Sequence, residues 1–413
     1  MLWRLTSGSL RHGLPYLSNF YCLPGRAGGS PNELEAGYIY ARLTLRPLTQ
    51  LLQTDGGPYI INRYVRYVAE FGLAALATGL RFYWTGARIM KAAWYEKQGP
   101  AHDVLVVGEM VDPRPIAGEV RIRIAASGVN PGDVKKREDS FGIGMPYPRV
   151  IPHSDGAGTV DTVGDGVPPE WVGRRVWCYG AQSYRPFGTA AEYVVVPVKQ
   201  VAPLPDGIPM EQGACLGIPG ITAHRAVHVA GPVDGRTVLV QGGAGSVGAC
   251  AVQLAHRAGA RVIATCRTER DKEIAFRAGA DEVFLTDGSL VERTRWIAPD
   301  GLHHIVEVAF AGNIKIDIEL LAQGGSLATY ATNAPIAEIP VWQLVFINTR
   351  MFFIGSDDVP SEAKVEATRD INQALEAGWR GLDIAERLPL DDIAEAHEFV
   401  ERPRKPGRVI VTL

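Results

Sequence analysis

The chain has no cysteine pair at CxxC spacing, no excess of basic residues and no long apolar run. Its five cysteines are scattered, so neither a disulfide framework nor a structural zinc knot is predicted, and a reducing cytosol fits this usage. Because 42 lysines and arginines stand against 45 aspartates and glutamates, we expect no nucleic acid and no anionic membrane as a partner. The apolar stretch Phe71–Leu80 is too short to span a bilayer as a helix.

Residues 1–89 differ in composition from the rest of the chain. The first 32 residues carry arginine but no aspartate or glutamate, together with scattered glycine, proline and serine. Met90 then opens a stretch that is typical of the start of an independent domain. We interpret 1–89 as an extension outside the enzyme core, or as sequence upstream of an internal start. A targeting segment and a small accessory helix are the alternatives.

The most informative stretch is 238–266, in which an apolar run, a glycine turn, a helical pattern and a second apolar run follow one another. The turn reads Gly243-x-Gly245-x-x-Gly248, the spacing of a dinucleotide-binding loop. In such a loop the first glycine permits the tight turn, the second lets backbone approach a pyrophosphate, and the third allows close helix packing. The positions between these glycines, which we also expect to contact the cofactor, are Ala244, Ser246 and Val247. The alternative is a glycine-rich turn that binds nothing.

The end of the second apolar run indicates which dinucleotide binds. Sites for NAD usually place an Asp or Glu there, about 20 residues past the loop, to bond the ribose 2′-hydroxyl. This chain has no carboxylate there until Glu269, and Arg267 could pair with a 2′-phosphate through its planar fork. Arg270 and Lys272 are nearby reserves. The pattern favours NADPH, whereas the alternative is a set of solvated charges at a helix start.

Two kinds of pattern divide the chain after residue 89. Residues 90–213 contain short β-type runs broken by glycine and proline, which predict a compact, partly antiparallel domain. Residues 214–354 alternate strands and helices, which predicts a doubly wound parallel sheet. Its expected strands are Thr237–Val240, Arg261–Thr265, Glu282–Leu285, His304–Val308, Ser326–Thr329 and Phe352–Ile354. Residues 355–413 are expected to return to the first domain. Gly312 and Asn313 follow a strand at the carboxyl edge of the sheet, so we expect them near the nicotinamide ribose.

Several ordered motifs resemble the medium-chain dehydrogenase/reductase superfamily, and within it the zinc-independent quinone oxidoreductase (zeta-crystallin-like) family. These motifs are Ser127–Asp133, Pro152–Gly164, Gly188–Pro197, Gly217–Val227, Gln241–Ala255, Arg277–Asp281 and Lys405–Leu413. The resemblance implies an α/β protein in which a GroES-like β domain (90–213 with 355–413) packs on a Rossmann NADP(H)-binding domain (214–354). It also implies an active site in the cleft between them and a homodimer formed through edge strands. The apolar segment Ile339–Ile354 could supply that edge, or a buried strand and helix.

The same resemblance bears on metal content. Zinc alcohol dehydrogenases share the scaffold, but a Cys of theirs stands where this chain has Asn130, and their His-Glu pair falls on Ser154-Asp155. The four-cysteine structural zinc lobe is absent. We therefore predict no metal. His153 lies one position away from the family ligand, and we interpret it as a polar residue of a loop or of the cleft.

Without a metal, the chemistry expected of the family is hydride transfer aligned by protein groups. Asn130 matches a family active-site position, and its amide could donate to the developing oxyanion of a carbonyl substrate. The alternative is that Asn130 is simply a turn residue before Pro131. Thr222 lies in a segment that the family places near the nicotinamide. Asp133 matches a polar position that orients its neighbours or joins a proton relay.

These residues predict a cytoplasmic, NADPH-dependent reductase of a small-molecule quinone or α,β-unsaturated carbonyl. A non-catalytic NADPH-binding protein with a structural or sensing role is the alternative from another class. A zinc-type alcohol dehydrogenase is a further alternative, against which the missing ligands argue. No motif specifies the natural substrate.

Overall fold

Residues 88–413 are the part of the chain that the computed structural model describes, so the predicted extension 1–89 lies outside it except for its last two residues. The described residues contain an antiparallel sheet, a parallel sheet and a separate hairpin. The hairpin pairs β1 (Ile89–Trp94) with β2 (Val106–Val111). No helix among these residues has the length and apolarity that crossing a membrane requires.

The antiparallel sheet is built around β3 (Glu119–Val129), in which most residues are buried. Its other strands are β4 (Asp155–Val163), β5 (Arg175–Cys178), β6 (Tyr193–Pro197), β7 (Val201–Pro203), β14 (Ile384–Pro389) and β15 (Arg408–Thr412). The strand order is β14-β15-β3-β4-β5-β7, and β6 pairs with β3. The pair β14 and β15 is parallel, and every other pairing is antiparallel. Short helices accompany the sheet, namely α1 (Ala101–Val104), α2 (Pro131–Glu138) and α3 (Met210–Gly213).

The parallel sheet has six strands in the order β10-β9-β8-β11-β12-β13. They are β8 (Thr237–Val240), β9 (Arg261–Cys266), β10 (Glu282–Leu285), β11 (Leu302–Glu307), β12 (Leu321–Thr329) and β13 (Arg350–Phe353). Counted from β8, this is the order 3-2-1-4-5-6 of a doubly wound dinucleotide-binding fold. The predicted α/β class, with a partly antiparallel β domain and a doubly wound parallel sheet, is confirmed.

The helices of this half join the parallel strands. They are α4 (Gly217–His228), α5 (Ser246–Arg257), α6 (Glu269–Arg277), α7 (Leu290–Ile297), α8 (Phe310–Leu320) and α9 (Val341–Phe346). Several strands start earlier than predicted, most clearly β12, which begins at Leu321 rather than at Ser326. The stretch 321–325 before Ser326 lies outside the predicted strand. It extends the strand because Leu302 pairs with Leu321 ahead of a register shift.

The tail after residue 355 divides between the two sheets. Helix α10 (Ser361–Glu376) packs on α4 and α5, and its buried Ile371 lies over Gly220, where a β-carbon would come within 2.6 Å of the Ile371 side chain. Strand β15 joins β3, with Val409 opposite Val129, and α11 (Ile393–Glu401) packs beside it. The tail therefore does not return to the β domain as a whole, since α10 covers the helices of the parallel sheet.

Candidate active site

The glycine turn lies between β8 and α5, as its sequence predicts. The structural role of each glycine, however, differs from the role that the motif predicts. The left-handed residue of the turn is Gly242 (φ +69°), rather than Gly243. A β-carbon on Gly243 would lie 2.7 Å from that of Ala264 on β9. One on Gly248 would lie 2.1 Å from the Gly242 carbonyl oxygen. Gly243 therefore allows the loop to pack on β9, and Gly248 allows α5 to start directly against the turn.

Side-chain hydrogen bonds hold the turn to β9. The Gly242 N–H donates to Thr265 Oγ1 (3.0 Å), and that hydroxyl donates to Gln241 Oε1 (2.6 Å). Helix α5 begins at Ser246, and the first turn of a helix leaves its N–H groups without partners inside the helix. A close-packed glycine turn that leads into free N–H groups fits a pyrophosphate, because the helix dipole favours negative charge there.

The three predicted phosphate-binding cations lie beyond the end of β9, but they are not equivalent. Arg267 and Arg270 are exposed, and neither forms an ion pair or side-chain hydrogen bond within residues 88–413. Lys272 is half-buried and pairs with Glu269 at 2.9 Å. Arg267 follows the last residue of β9 directly. It is therefore the best placed of the three to meet a group bound at that strand end.

In the β domain, Asn130 and Asp133 lie at the start of α2. Asn130 is the N-cap, and its backbone N–H donates to Asp133 Oδ2 at 2.8 Å. The Asn130 side chain is only 3% exposed. Its Nδ2 donates to Asp155 Oδ2 (2.8 Å), and its Oδ1 accepts from Arg408 Nη1 (2.9 Å). One amide N–H of Asn130 is thus committed inside the protein before any substrate is considered.

Asp155 and Arg408 form a buried ion pair behind Asn130. Asp155 is 0% exposed, Arg408 is 3% exposed, and Asp155 Oδ2 lies 3.6 Å from Arg408 Nη2. Asp155 Oδ1 accepts the backbone N–H of Ile218 (2.8 Å) at the start of α4. A β-carbon on Gly217 would come within 2.1 Å of that same oxygen, so the close approach requires glycine. The pair therefore ties β4 and β15 of one sheet to the first helix of the other.

Burial dominates the ionisation of both carboxyl groups. It raises the pKa of Asp155 to about 7, although Arg408 and Asn130 act in the opposite direction. Burial also raises the pKa of Asp133 to about 6, opposed by Lys136 and by the Asn130 N–H. Both carboxyl groups therefore titrate close to neutral pH, where a group can give and take protons.

Thr222 lies on α4 and is buried (4% exposed). It follows Ile218 by one helical turn, so the two residues share one helix face. The structure thus brings Asn130, Asp133 and the start of the Thr222 helix to one place through Asp155. It leaves the glycine turn and Arg267 at the carboxyl edge of the parallel sheet, where the cofactor half of the site is expected.

The residues at the zinc position of the scaffold do not fit Zn²⁺. Asn130 and Asp155 bond each other there, and the Arg408 guanidinium occupies the position of a cation beside them. No group of three or more His, Cys, Asp or Glu side chains is arranged to hold a metal in the described part of the chain. Zinc prefers thiolate and imidazole donors, which this set lacks.

His153 lies in the loop that leads into β4, as interpreted from the sequence, but its side chain is fully buried. His153 is 0% exposed and stacks on His397 of α11, with 3.0 Å between the two Nε2 atoms. Its Nδ1 bonds Ser127 Oγ at 2.8 Å. Burial lowers the pKa of His153 to about 3, so the ring is neutral and belongs to the core of the β domain.

Sequence reasoning missed Arg408 and the buried carboxyl groups of the parallel sheet. Arg408 lies in the closing motif that carries the resemblance, but a lone arginine at a strand start gives no signal of burial. Glu307 directly follows the buried Ile305 and Val306 at the end of β11 and is 0% exposed. An acidic residue in such a run is the one available signal that a buried polar network exists.

The fold and site define a two-domain dehydrogenase/reductase with a GroES-like domain and a Rossmann domain, and the comparisons with known proteins agree. Residues 116–206 match the model of the alcohol dehydrogenase GroES-like domain, and residues 246–365 match that of zinc-binding dehydrogenases. The quinone oxidoreductase of Mus musculus is 30% identical over 337 residues, which cover 80% of this chain and 99% of the mouse protein.

Solved structures give the same assignment. A mycobacterial protein solved in complex with NADPH superposes with a TM-score of 0.68 at 26% identity, covering 78% of this chain and all of that one. A putative NADPH:quinone reductase from Bacillus thuringiensis, at 22% identity and a TM-score of 0.70, shows the same fold. The chain belongs to the medium-chain dehydrogenase/reductase superfamily and, within it, to the quinone oxidoreductase family. It is therefore an oxidoreductase that works with a nicotinamide cofactor.

Proposed function

We propose that this protein is a metal-independent reductase that uses NADPH to reduce a quinone or an α,β-unsaturated carbonyl. The observation that carries the proposal is the glycine turn after β8 together with the end of β9. That end has no carboxylate, and the exposed Arg267 that follows it has no ion pair within residues 88–413. The mouse relative is named a quinone oxidoreductase, and the mycobacterial neighbour was solved with NADPH. Both support the same cofactor and substrate class.

The roles of the residues follow from their positions. The turn Gly243–Gly248 and the α5 N–H groups hold the pyrophosphate, and Arg267 pairs with the 2′-phosphate, with Arg270 and Lys272 adding positive charge. When bound, NADPH supplies the hydride. The second N–H of Asn130 Nδ2 donates to the substrate carbonyl, while Asp155 and Arg408 fix the amide plane. Asp133 holds the Asn130 backbone, and Thr222 borders the nicotinamide half.

The direct test is turnover. The purified protein should oxidise NADPH in the presence of a panel of quinones and enones, and metal chelators should leave the rate unchanged. Asn130→Ala should lower kcat by roughly 100-fold, the usual effect of losing an oxyanion donor. If the variant loses stability but keeps kcat per folded molecule, Asn130 is only a structural residue. NADPH binding without turnover of any compound would favour the non-catalytic alternative.

Cofactor selectivity gives a separate prediction. Arg267→Ala should weaken NADPH binding roughly 10- to 100-fold, because a charge-assisted hydrogen bond to phosphate is lost, and should leave NADH binding unchanged. The measurement is titration of nicotinamide fluorescence. Arg261→Ala, at the other end of β9, is the matched control and should behave as wild type. Equal weakening of NADPH and NADH would show that Arg267 does not meet the 2′-phosphate.

We further propose a cytoplasmic homodimer. The four cysteines of the described residues are free and buried, which suits a reducing compartment. Strand β13 is the edge of the parallel sheet, and beside it α9 exposes Trp342 (72%) and Phe346 (71%). Two large aromatic rings that stack on an exposed helix face are typical of an interaction surface. A second copy pairing along β13 would cover both rings.

Light scattering tests the dimer. Wild type should have the mass of two chains, and Trp342→Asp should shift the protein to one chain because a charge cannot be buried there without a partner. Trp296, which is 86% exposed on α7, provides the control. Trp296→Asp should leave the mass unchanged. A monomeric wild type would contradict the proposal.

A further inference from the structure

Two buried carboxyl groups meet, one at the end of β11 and the other in the C-terminal half of α8. Glu307 is the last residue of β11, Asp317 lies on α8, and both are 0% exposed. Three things act on the pKa of the Asp317 carboxyl: burial, the neighbouring Glu307 carboxyl and a hydrogen bond from Gln241. No cation of the described residues is among them. Two buried carboxylates without a cation would be very costly, so the pair needs another way to balance its charge.

The hydrogen bonds show which carboxyl oxygen of this pair lacks a donor. The backbone N–H of Ala309 donates to Glu307 Oε1, and Asn313 Nδ2 lies 3.1 Å from Glu307 Oε1 and 3.2 Å from Oε2. Asp317 Oδ1 accepts from Gln241 Nε2 at 2.8 Å. Asp317 Oδ2, in contrast, is buried and has no donor among the described residues, although the Glu307 carboxyl lies within hydrogen-bonding reach. A proton on Asp317 Oδ2 turns this repulsive contact into an O–H···O⁻ hydrogen bond.

The electrostatic surroundings agree with that geometry. Burial, followed by the charge of Glu307, raises the pKa of Asp317 well above its ordinary value. Tyr330 faces the pair from the end of β12. Burial and Glu307 raise its pKa as well, so the phenol is neutral and adds no charge. Cys250 of α5, which acts on Tyr330, is also neutral because burial raises its pKa to about 12.

We propose that Glu307 and Asp317 share one proton, and that this proton makes them positioning residues for the cofactor edge of the parallel sheet. The proposal deepens the proposed function and rests on it for the role of that edge. Ala309 and Asn313, which Glu307 holds, lie just beyond the carboxyl end of β11, where this fold binds its ligand.

The shared proton completes a chain of hydrogen bonds from the glycine turn to Glu307. The Gly242 N–H donates to Thr265, the Thr265 hydroxyl to Gln241, the Gln241 amide to Asp317, and the Asp317 hydroxyl to Glu307. Each donor in this series of hydrogen bonds has one acceptor, so the direction of every hydrogen bond is fixed. Loss of the proton would break the chain at its last link and separate the turn from the end of β11.

Asp317→Asn isolates the proton from the geometry, because its amide can donate to Glu307 without any titratable group. In wild type the native state holds a proton that the unfolded chain releases above the ordinary Asp pKa of 3.8. Raising the pH therefore favours unfolding. The stability that the bound proton contributes to the native state is lost as the pH rises through the raised pKa of Asp317. Between pH 5 and pH 6 the unfolding equilibrium constant of wild type should rise about tenfold more than that of Asp317→Asn.

Infrared spectroscopy reads the same proton directly. The wild-type spectrum at neutral pH should contain the carbonyl stretch of a protonated carboxyl that Asp317→Asn lacks. The control is Asp300→Asn, an exposed aspartate just before the other end of β11, which should keep both the band and the wild-type pH dependence. Identical spectra and identical pH dependence in wild type and Asp317→Asn would overturn the shared proton.

NADPH titration tests the positioning role. Wild-type affinity should fall as the pH rises far enough to remove the proton, and the affinity of Asp317→Asn should fall less. Asp317→Leu should bind NADPH at least tenfold more weakly at all pH values, with its fold checked by circular dichroism. If the proton is present but wild type and Asp317→Asn respond to pH alike, the positioning role is overturned. If the proton is present and no variant binds NADPH, the proposed function fails while the shared proton stands.

Discussion

Asp155→Asn is expected to destabilise the protein far more than Arg408→Met, although the two residues form one ion pair. The guanidinium of Arg408 cannot lose its proton, is 3% exposed and already has Nε and Nη2 atoms without hydrogen-bond partners among the described residues. Without the Asp155 charge it remains buried and uncompensated, at a cost of about 3–5 kcal/mol. Asp155 itself can take up a proton when Arg408 is removed, because burial has already raised its pKa to about 7.

The measurement is urea unfolding of both variants at pH 8, above the pKa of about 7 at which Asp155 ionises in the native wild type, followed by tryptophan fluorescence. Arg408→Met should cost about 1–2 kcal/mol there, the scale of one lost hydrogen bond, and more as pH rises because Asp155 then ionises without a partner. Asp161→Asn is the matched control. Its partner Arg121 is also buried but keeps Asp112 at 2.7 Å, so about 1 kcal/mol should be lost. A larger loss for Arg408→Met than for Asp155→Asn at pH 8 would contradict this account.

The same ion pair shows what sequence patterns can and cannot give. The glycine turn, the order of strands and helices and the absence of a carboxylate after β9 depend on local spacing, so the sequence predicts them. Arg408 and Asp155 are 253 residues apart, and their contact exists only because β15 returns to lie beside β3. A pairing of that kind depends on tertiary topology, which composition and periodicity do not encode.

Residue roles inside correctly predicted motifs were also set by tertiary contacts. Gly243 matches the first glycine of the loop, yet its need for glycine comes from Ala264 on the neighbouring strand. Asn130 was expected to face substrate, and its amide is shared with Asp155 and Arg408. The tail 355–413 was expected to return to the β domain, but its helix α10 packs on α4 and α5. In each case a neighbour distant in sequence decides what a local signal means.

Gly248→Ala should remove most of the NADPH affinity. Its comparison with Gly245→Ala separates two requirements on the turn, namely close contact with α5 and the approach of backbone to the pyrophosphate. A methyl group there would lie 2.1 Å from the Gly242 carbonyl oxygen and 2.8 Å from its carbon, and both are backbone atoms that cannot rotate away. The turn and the start of α5 must move apart by about 1 Å, and a displacement of that size can cost roughly 100-fold. Overpacking should also lower stability by about 1–3 kcal/mol.

Gly245→Ala and Gly288→Ala complete the comparison. A methyl group on Gly245 would meet only the Gly242 oxygen at 3.3 Å, so we expect a small stability loss but weaker NADPH binding, because the added group intrudes where backbone must approach the pyrophosphate. Gly288 has open space at its β-carbon position and should tolerate alanine in both assays. Fluorescence titration with NADPH and thermal unfolding of the four proteins give the result. Wild-type affinity in Gly248→Ala would mean that the cofactor does not depend on the contact between the turn and α5, and the phosphate site would have to lie elsewhere on the sheet edge.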